Sequence, residues 1–365
     1  KIMNNENQTI HKSDDNLTIY GWNEKLNQLK QESIYSTLAH GRVSIVHRTC
    51  YEVISGNGLF QCELTGNMMY GKSDDELPCT GDWVIFQPFD EHKGIIVDRL
   101  PRERTLYRKK SGTVADKQAI ASYVDKAFIV QSLDDNFNVR RVERFMVQIM
   151  EENISSVLVL NKADLDFDRQ SVEEQIKHIS SQIPVFFTSI HQLETIVRLR
   201  KSISEGETVV FVGSSGVGKS SLVNALCEKP VLLTSDISLS TGKGRHTSTR
   251  REMVLMDSSG VLIDTPGVRE FGLAIDNPDS LAEVLEISDY AELCRFKDCK
   301  HINEPGCAVI EAVNSGALDS KVYESYLKLR REAWHFSASE HEKRKKEKSF
   351  TKFVEEVKNR KDANR

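Results

Sequence analysis

The chain has 365 residues, of which 39% are hydrophobic and 28% charged, with a formal net charge of −5. That size suits two or three domains with real cores. The absence of any apolar run approaching about 18 residues, and of a signal-peptide pattern, excludes a helical membrane span and points to the cytoplasm. Seven cysteines, odd in number and scattered, argue for a reducing compartment rather than a disulfide framework.

In chain order, residues 1–38 read as a polar extension. Residues 1–20 are rich in Asn, Asp and Lys and expected to be disordered or loosely attached, and an amphipathic stretch follows at 22–33. Residues 39–105 hold five short apolar, β-rich segments, at 41–46, 51–54, 59–64, 82–87 and 94–97, separated by Gly- and Asn-containing turns. That spacing predicts a small OB-type β-barrel with an RNA-binding face. The exit segment 99–110 carries six basic residues against the single acid Glu103. It reads as a phosphate-tracking edge or as a solvated basic linker.

Residues 106–275 carry the nucleotide chemistry. The apolar run 157–160 ends in Asn161, Lys162, Ala163 and Asp164, which places this NKAD motif at the carboxyl end of a strand. The Asp164 carboxylate can accept from guanine's ring N–H and exocyclic amine, where adenine offers an acceptor. Asn161 and Lys162 would brace the loop and cover the base. A further strand at 184–187 leads into Thr188, Ser189 and Ile190, the place for a second guanine-contacting loop. Its usual pattern is Ser-Ala, so the match is imperfect.

Next comes Gly213, Ser214, Ser215, Gly216, Val217, Gly218, Lys219, Ser220 and Ser221, which fits the phosphate-loop pattern at every fixed position. An apolar segment precedes it and a helix start follows. The backbone N–H groups would cradle phosphates, Lys219 would reach the β- and γ-phosphates, and the Ser220 hydroxyl would ligate magnesium. Downstream, an apolar strand ends in Asp264-Thr265-Pro266-Gly267. Asp264 is the expected magnesium-shell acid, and the Gly267 N–H would sense the γ-phosphate. The polar, Gly-rich stretch 238–250 reads as a switch loop, with Thr247 and Thr249 both candidates for the magnesium and γ-phosphate contact. Val268 stands where many GTPases place a water-orienting Gln, so intrinsic hydrolysis should be slow and partner-dependent. His246 is the nearest catalytic substitute, with an RNA-contacting or exposed loop His as the alternative. In an ordinary GTPase the phosphate loop precedes NKxD. Here it follows, so the same site must be built from a circularly permuted chain.

Residues 276–365 begin with Cys294, Cys299, His301 and Cys307, spaced Cys-x4-Cys-x-His-x5-Cys. Three thiolates and an imidazole make a closed, four-coordinate structural zinc site. The other four cysteines read as isolated thiols. Val322, Tyr326, Leu329 and Ala333 fall on one helical face. Beyond them, residues 341–365 hold ten Lys and Arg against five acids, a basic tail suited to RNA or to a solvated helical face.

An OB-like module, a permuted GTPase and a Cys3His knuckle together resemble the RsgA (YjeQ/YloQ) family, from about residue 41 to 331. The runs 118–130, 138–145, 244–247 and 296–309 match as well. The resemblance implies hydrolysis of GTP to GDP and phosphate, stimulated by the small ribosomal subunit, in late maturation of that subunit. It also implies guanine binding by Asn161, Lys162 and Asp164, phosphate and magnesium binding by 213–221, zinc binding by the Cys3His set, and His246 as catalytic histidine. The partners expected are the small subunit and its rRNA, without a membrane and with the chain as a monomer. Because the chain runs from DTPG directly into the zinc module, γ-phosphate-dependent movement at Gly267 could be transmitted there. The alternatives are an RNA-binding, ribosome-associated protein with weak or vestigial hydrolysis, against which intact Lys219, Ser220, Asp264 and Asp164 speak, and a P-loop ATPase or small-molecule kinase, against which Asp164 speaks.

Overall fold

The computed structural model describes residues 16–70, 73, 75–109, 117–228, 252–257, 260–264 and 279–337. The chain divides into two compact units, with the described residues before 265 almost wholly in the first and those from 279 to 337 in the second.

The first unit opens with a packed segment where the sequence reads as loose extension. From Asn16 onward, Leu17, Trp22 and Leu26 are buried in a cluster with Trp83, Ile85, Leu100 and Tyr123. Trp22 meets Trp83 edge-on at 4.8 Å between ring centroids. Helix α1, Glu24–Glu32, starts where the Asn23 side chain accepts from the Leu26 N–H. Average polarity hides this because three apolar side chains suffice to anchor the segment, and they recur at helical intervals only from Trp22. Residues 1–15 lie outside the described residues.

Five strands follow: β1 Ala39–Val46, β2 Tyr51–Ser55, β3 Gly58–Leu64, β4 Trp83–Asp90 and β5 Lys93–Arg99. The four-residue helix α2, Gly66–Met69, lies between β3 and β4. The strands pair in the order β1-β2-β3-β5-β4 and close through β1–β4, with His40 opposite Ile85. Only β3 and β5 run parallel. This is the closed barrel of an OB fold. Its interior takes alternate residues of each strand, among them Val43, Val53, Phe60, Cys62, Phe86 and Ile96. A two-stranded ladder, β6 Leu106–Lys109 with β7 Lys117–Ala121, leads out of the barrel.

Three arginines of the basic exit segment bond to groups within the protein. The Arg102 guanidinium pairs with the fully buried Asp82 at 2.7 Å and also donates to the Asp75 and Leu77 carbonyls. Arg104 pairs with Asp125 at 3.0 Å, and Arg108 donates to Gln118.

The second sheet contains β8 Lys126–Ser132, β9 Ser155–Asn161, β10 Val185–Thr188, β11 Thr208–Val212, β12 Glu252–Leu255 and β13 Val261–Asp264, in the order β10-β9-β8-β11-β13-β12. All neighbours are parallel except β12–β13. The unbroken apolar runs are the consequence of burial on both faces: every residue of β11 is buried. Helices α3 Val139–Glu151, α4 Arg169–Gln175, α5 Lys177–Ser180, α6 Leu193–Lys201 and α7 Lys219–Leu226 connect the strands. The core beneath the phosphate loop packs Phe128 on Phe211, stacked at 4.9 Å, with Val159, Leu199, Leu222 and Leu226 around them.

Barrel and sheet are joined. Ile45 of β1 pairs with Glu252 of β12, so the eleven strands are one continuous sheet. Arg42 of β1 is fully buried and donates to the Gly81 carbonyl at 3.0 Å and to Thr208 Oγ1, at the root of β11, at 2.9 Å. Burial lowers its pKa to about 10, which still leaves it charged.

The second unit holds α8 Asp279–Val284, α9 Ser288–Ala291, α10 Ala308–Ser315 and α11 Ser320–Ser337. Tyr326, Leu329 and Ala333 form the buried face of α11, with Val322 half-buried. The basic tail 341–365 lies outside the described residues. Among the described residues no helix is long and apolar enough to cross a membrane.

Candidate nucleotide site and metal centre

The phosphate loop turns from the end of β11 into α7, and its glycines answer to specific contacts. Gly218 caps α7 at φ +89°, and a Cβ there would lie 2.4 Å from Asn161 Nδ2. At Gly213, φ +150°, a Cβ would lie 2.4 Å from the Val130 carbonyl. Only glycine tolerates both the backbone and the approach. Lys219 Nζ folds over the loop, donating to the Gly213 and Ser214 carbonyls at 2.7 and 2.6 Å. Ser220 lies in the first turn of α7, and Asp264 ends β13, which pairs directly with β11. Hydroxyl and carboxylate oxygens on these neighbouring elements are the donors magnesium selects.

NKAD ends β9, one strand removed from β11 in the sheet, and is fastened to the phosphate loop. Asn161 is buried, donates from Nδ2 to the Val217 carbonyl at 2.9 Å, and accepts from Thr188 Oγ1 at 3.2 Å. Lys162 adopts the left-handed backbone at φ +63°, a conformation that costs free energy in a non-glycine and recurs at functional loops. Its Nζ pairs with Asp134 at 2.8 Å. Burial pushes the Asp134 pKa up, but hydrogen bonds from Lys162, Ser132 and the Asn136 N–H outweigh it and bring the group down to about 2. Ser189 donates to Asp164 Oδ1 at 2.5 Å, and this bond, first among its causes, holds the Asp164 pKa below the usual carboxylate value. The Ala163 N–H donates to the Thr188 carbonyl at 3.0 Å.

The imperfect Thr-Ser-Ile match is therefore the loop that meets NKAD, with Ser189 orienting the carboxylate. Asp134 carries no motif signal and emerges only from the fold, whereas Arg141 lies in the run 138–145 that matches the family, with no role read from the sequence. Arg141 Nη1 donates to Ser214 Oγ at 2.9 Å. His246, Thr247, Thr249 and Gly267 lie outside the described residues.

In the second unit, one ligand atom from each of Cys294, Cys299, His301 and Cys307 lies within 4.8 Å of every other. Cys294 Sγ and Cys307 Sγ are 3.8 Å apart, and each is 3.5 Å from His301 Nδ1. A tetrahedral zinc ion with bonds of about 2.3 Å to sulfur and 2.05 Å to nitrogen sets separations of about 3.8 and 3.6 Å. The cluster fits that ion. The turn is tightly made: His301 has φ +53°, and its carbonyl accepts from Tyr323 OH of α11 at 2.6 Å. The Glu304 carboxylate accepts backbone N–H bonds from Ile302, Asn303 and Lys300, which lower its pKa to about 2. Burial keeps His301 neutral by lowering its pKa, the form a metal ligand needs, and pushes the Cys307 thiol up to about 11. A bound cation in the cluster would favour the thiolate form of these cysteines.

A phosphate loop at β11, an NKAD loop on strands that precede it in the chain, and a closed OB barrel ahead of both define a circularly permuted P-loop GTPase. A family model described as RsgA GTPase matches residues 99–274. A model for ABC transporters matches residues 196–361, a stretch that shares the phosphate loop but excludes Asp164. The "Small ribosomal subunit biogenesis GTPase RsgA 1" of Bacteroides thetaiotaomicron is 76% identical over 359 residues, 98% of this chain and 99% of that protein. The RsgA of Methanosarcina acetivorans is 38% identical over 338 residues, 90% and 89% of the two chains. The crystal structure of YjeQ from Thermotoga maritima matches with a TM-score of 0.61 at 27% identity, covering 81% of this chain and 98% of that one. YloQ, described as a circularly permuted GTPase, matches in fold with a TM-score of 0.61 at 21% identity, over 84% and 99%. The chain belongs to the RsgA GTPase family, and the activity of that family is GTP hydrolysis.

Proposed function

We propose that this protein hydrolyses GTP to GDP and phosphate under stimulation by the small ribosomal subunit, as a cytoplasmic monomer acting late in maturation of that subunit. The observation that carries the reading is the 76% identity across essentially the full length of a relative named for small-subunit biogenesis. Asp164, oriented by Ser189, selects guanine, and Asn161 ties that loop to the phosphate loop. Residues 213–221 bind the phosphates, with Lys219 leaving its loop carbonyls for the β- and γ-phosphates. Ser220 and Asp264 would hold magnesium, which neutralises phosphate charge. Cys294, Cys299, His301 and Cys307 would hold one zinc ion that fixes the knuckle, and the knuckle, barrel and basic tail face rRNA. His246 orients the attacking water, one of Thr247 and Thr249 contacts the magnesium and terminal phosphate, and the Gly267 N–H senses that phosphate.

Co-sedimentation tests the partner. With a non-hydrolysable GTP analogue the protein should pellet with small subunits, and with GDP it should release by about tenfold or more. Equal affinity in the two states would refute nucleotide-controlled binding, and no binding in either would refute the partner.

A further inference from the structure

The phosphate loop has a second cation at its mouth. Arg141 stands in the first turn of α3, where Asn138 caps the helix by accepting from its N–H at 3.2 Å. Its guanidinium Nη1 donates to Ser214 Oγ at 2.9 Å and to the Asn136 carbonyl at 3.3 Å. Ser214 is also the residue whose carbonyl accepts from Lys219. Two cations, one from the loop and one from a helix 73 positions earlier in the chain, thus converge on one residue of the loop. Both acceptors of Arg141 are neutral oxygens, and among the described residues no carboxylate pairs with it. Its Nη2 and Nε donors keep their capacity for an anion, in the fork geometry that matches phosphate oxygens.

We propose that Arg141 is a catalytic residue: parked on Ser214 at rest, it swings onto the terminal phosphate of bound GTP during hydrolysis. This rests on the assignment of 213–221 as the phosphate loop. In the reaction, water attacks the γ-phosphorus and the bond to the β–γ bridging oxygen breaks. That electron pair leaves with GDP, and the water's proton ends on the released phosphate. Arg141 transfers no proton. It stabilises the negative charge that builds on the bridging and equatorial oxygens, as an arginine supplied in cis does elsewhere. The need is local, because Val268 follows Gly267 in a position where a glutamine would orient water.

The test uses the full-length, zinc-loaded protein with small subunits and saturating GTP. Arg141→Ala should lower kcat by about 100- to 1,000-fold, while Kd for GDP moves less than about threefold. It should also lose the added affinity that fluoroaluminate gives to bound GDP, because that anion mimics the transferring phosphoryl group. Arg141→Lys should recover only part of the rate, having the charge without the fork. Ser214→Ala, which frees the guanidinium, should raise the subunit-free rate. If Arg141 is only a strut, Arg141→Ala and Ser214→Ala will weaken GDP binding and lower the melting temperature together. In that case kcat at saturation stays within about threefold, and the proposal is overturned. Unchanged GTP and GDP binding in Lys219→Ala would instead overturn the phosphate-loop assignment itself.

Discussion

Asp164 and Gly218 are the residues on which the nucleotide site turns. The Asp164 carboxylate is held by Ser189 in the form that accepts hydrogen bonds. Asp164→Asn removes the charge and reverses one acceptor, so GTP should bind about 2–4 kcal/mol more weakly, with xanthosine triphosphate gaining in preference. Competition titration measures both, and undiminished GTP preference would refute the base-reading role. The linked pH dependence has a definite sign. Asp134 and Asp164 have lowered pKa values in the folded chain, so their contribution is complete above the ordinary carboxylate pKa of about 4. It is lost as pH falls from there, for Asp134 through about 2. Guanine affinity should accordingly be insensitive to these two groups between about pH 5 and 8. Gly218→Ala meets both a positive φ and Asn161 Nδ2 at 2.4 Å. It should cost about 1–3 kcal/mol of stability and also displace Asn161, so GDP titration should report weakened binding.

At the scale of elements, legibility in the sequence followed the range of the interaction. All five barrel strands, the helix at 24–32 and the strands around both nucleotide motifs follow from local alternation or apolar runs, and the structure places them within a few residues of expectation. Ser189 was visible in position, but its role depends on Asp164, 25 positions away. Arg102 read as a surface cation because its partner Asp82 lies 20 positions earlier and its burial is a property of the closed barrel. The anchoring of Leu17 and Trp22 was hidden for the same reason. The metal knuckle is the opposite case, since four ligands within 14 residues announce themselves. Its short turns bury little apolar surface, since Leu293, Phe296 and Ile302 are exposed, so the metal must supply much of its folding free energy. Chelation should expose the knuckle to proteases and unfold it at lower temperature while the GDP titration persists. The protein as purified should carry about one zinc per chain by elemental analysis. A knuckle that keeps its protease resistance without metal would contradict this.

For the whole molecule, permutation is the organising fact. The strands that end in the NKAD and Thr-Ser-Ile loops come first, and the phosphate loop and Asp264 strand come after them, yet the sheet order brings both sets together. Order of motifs alone revealed this. What it could not reveal is that barrel and nucleotide strands form one continuous sheet, joined at Ile45 and Glu252 and by the buried Arg42. A site whose phosphate and NKAD loops are built into such a frame should turn over slowly alone and quickly with its partner. The most direct measurement is steady-state GTP hydrolysis by the zinc-loaded protein with and without small ribosomal subunits, with Ser220→Ala as control. Stimulation by about 100-fold or more from small subunits, absent with large subunits and abolished in Ser220→Ala, is the predicted result. Turnover that stays slow with small subunits present, while GTP still binds, would contradict the central claim.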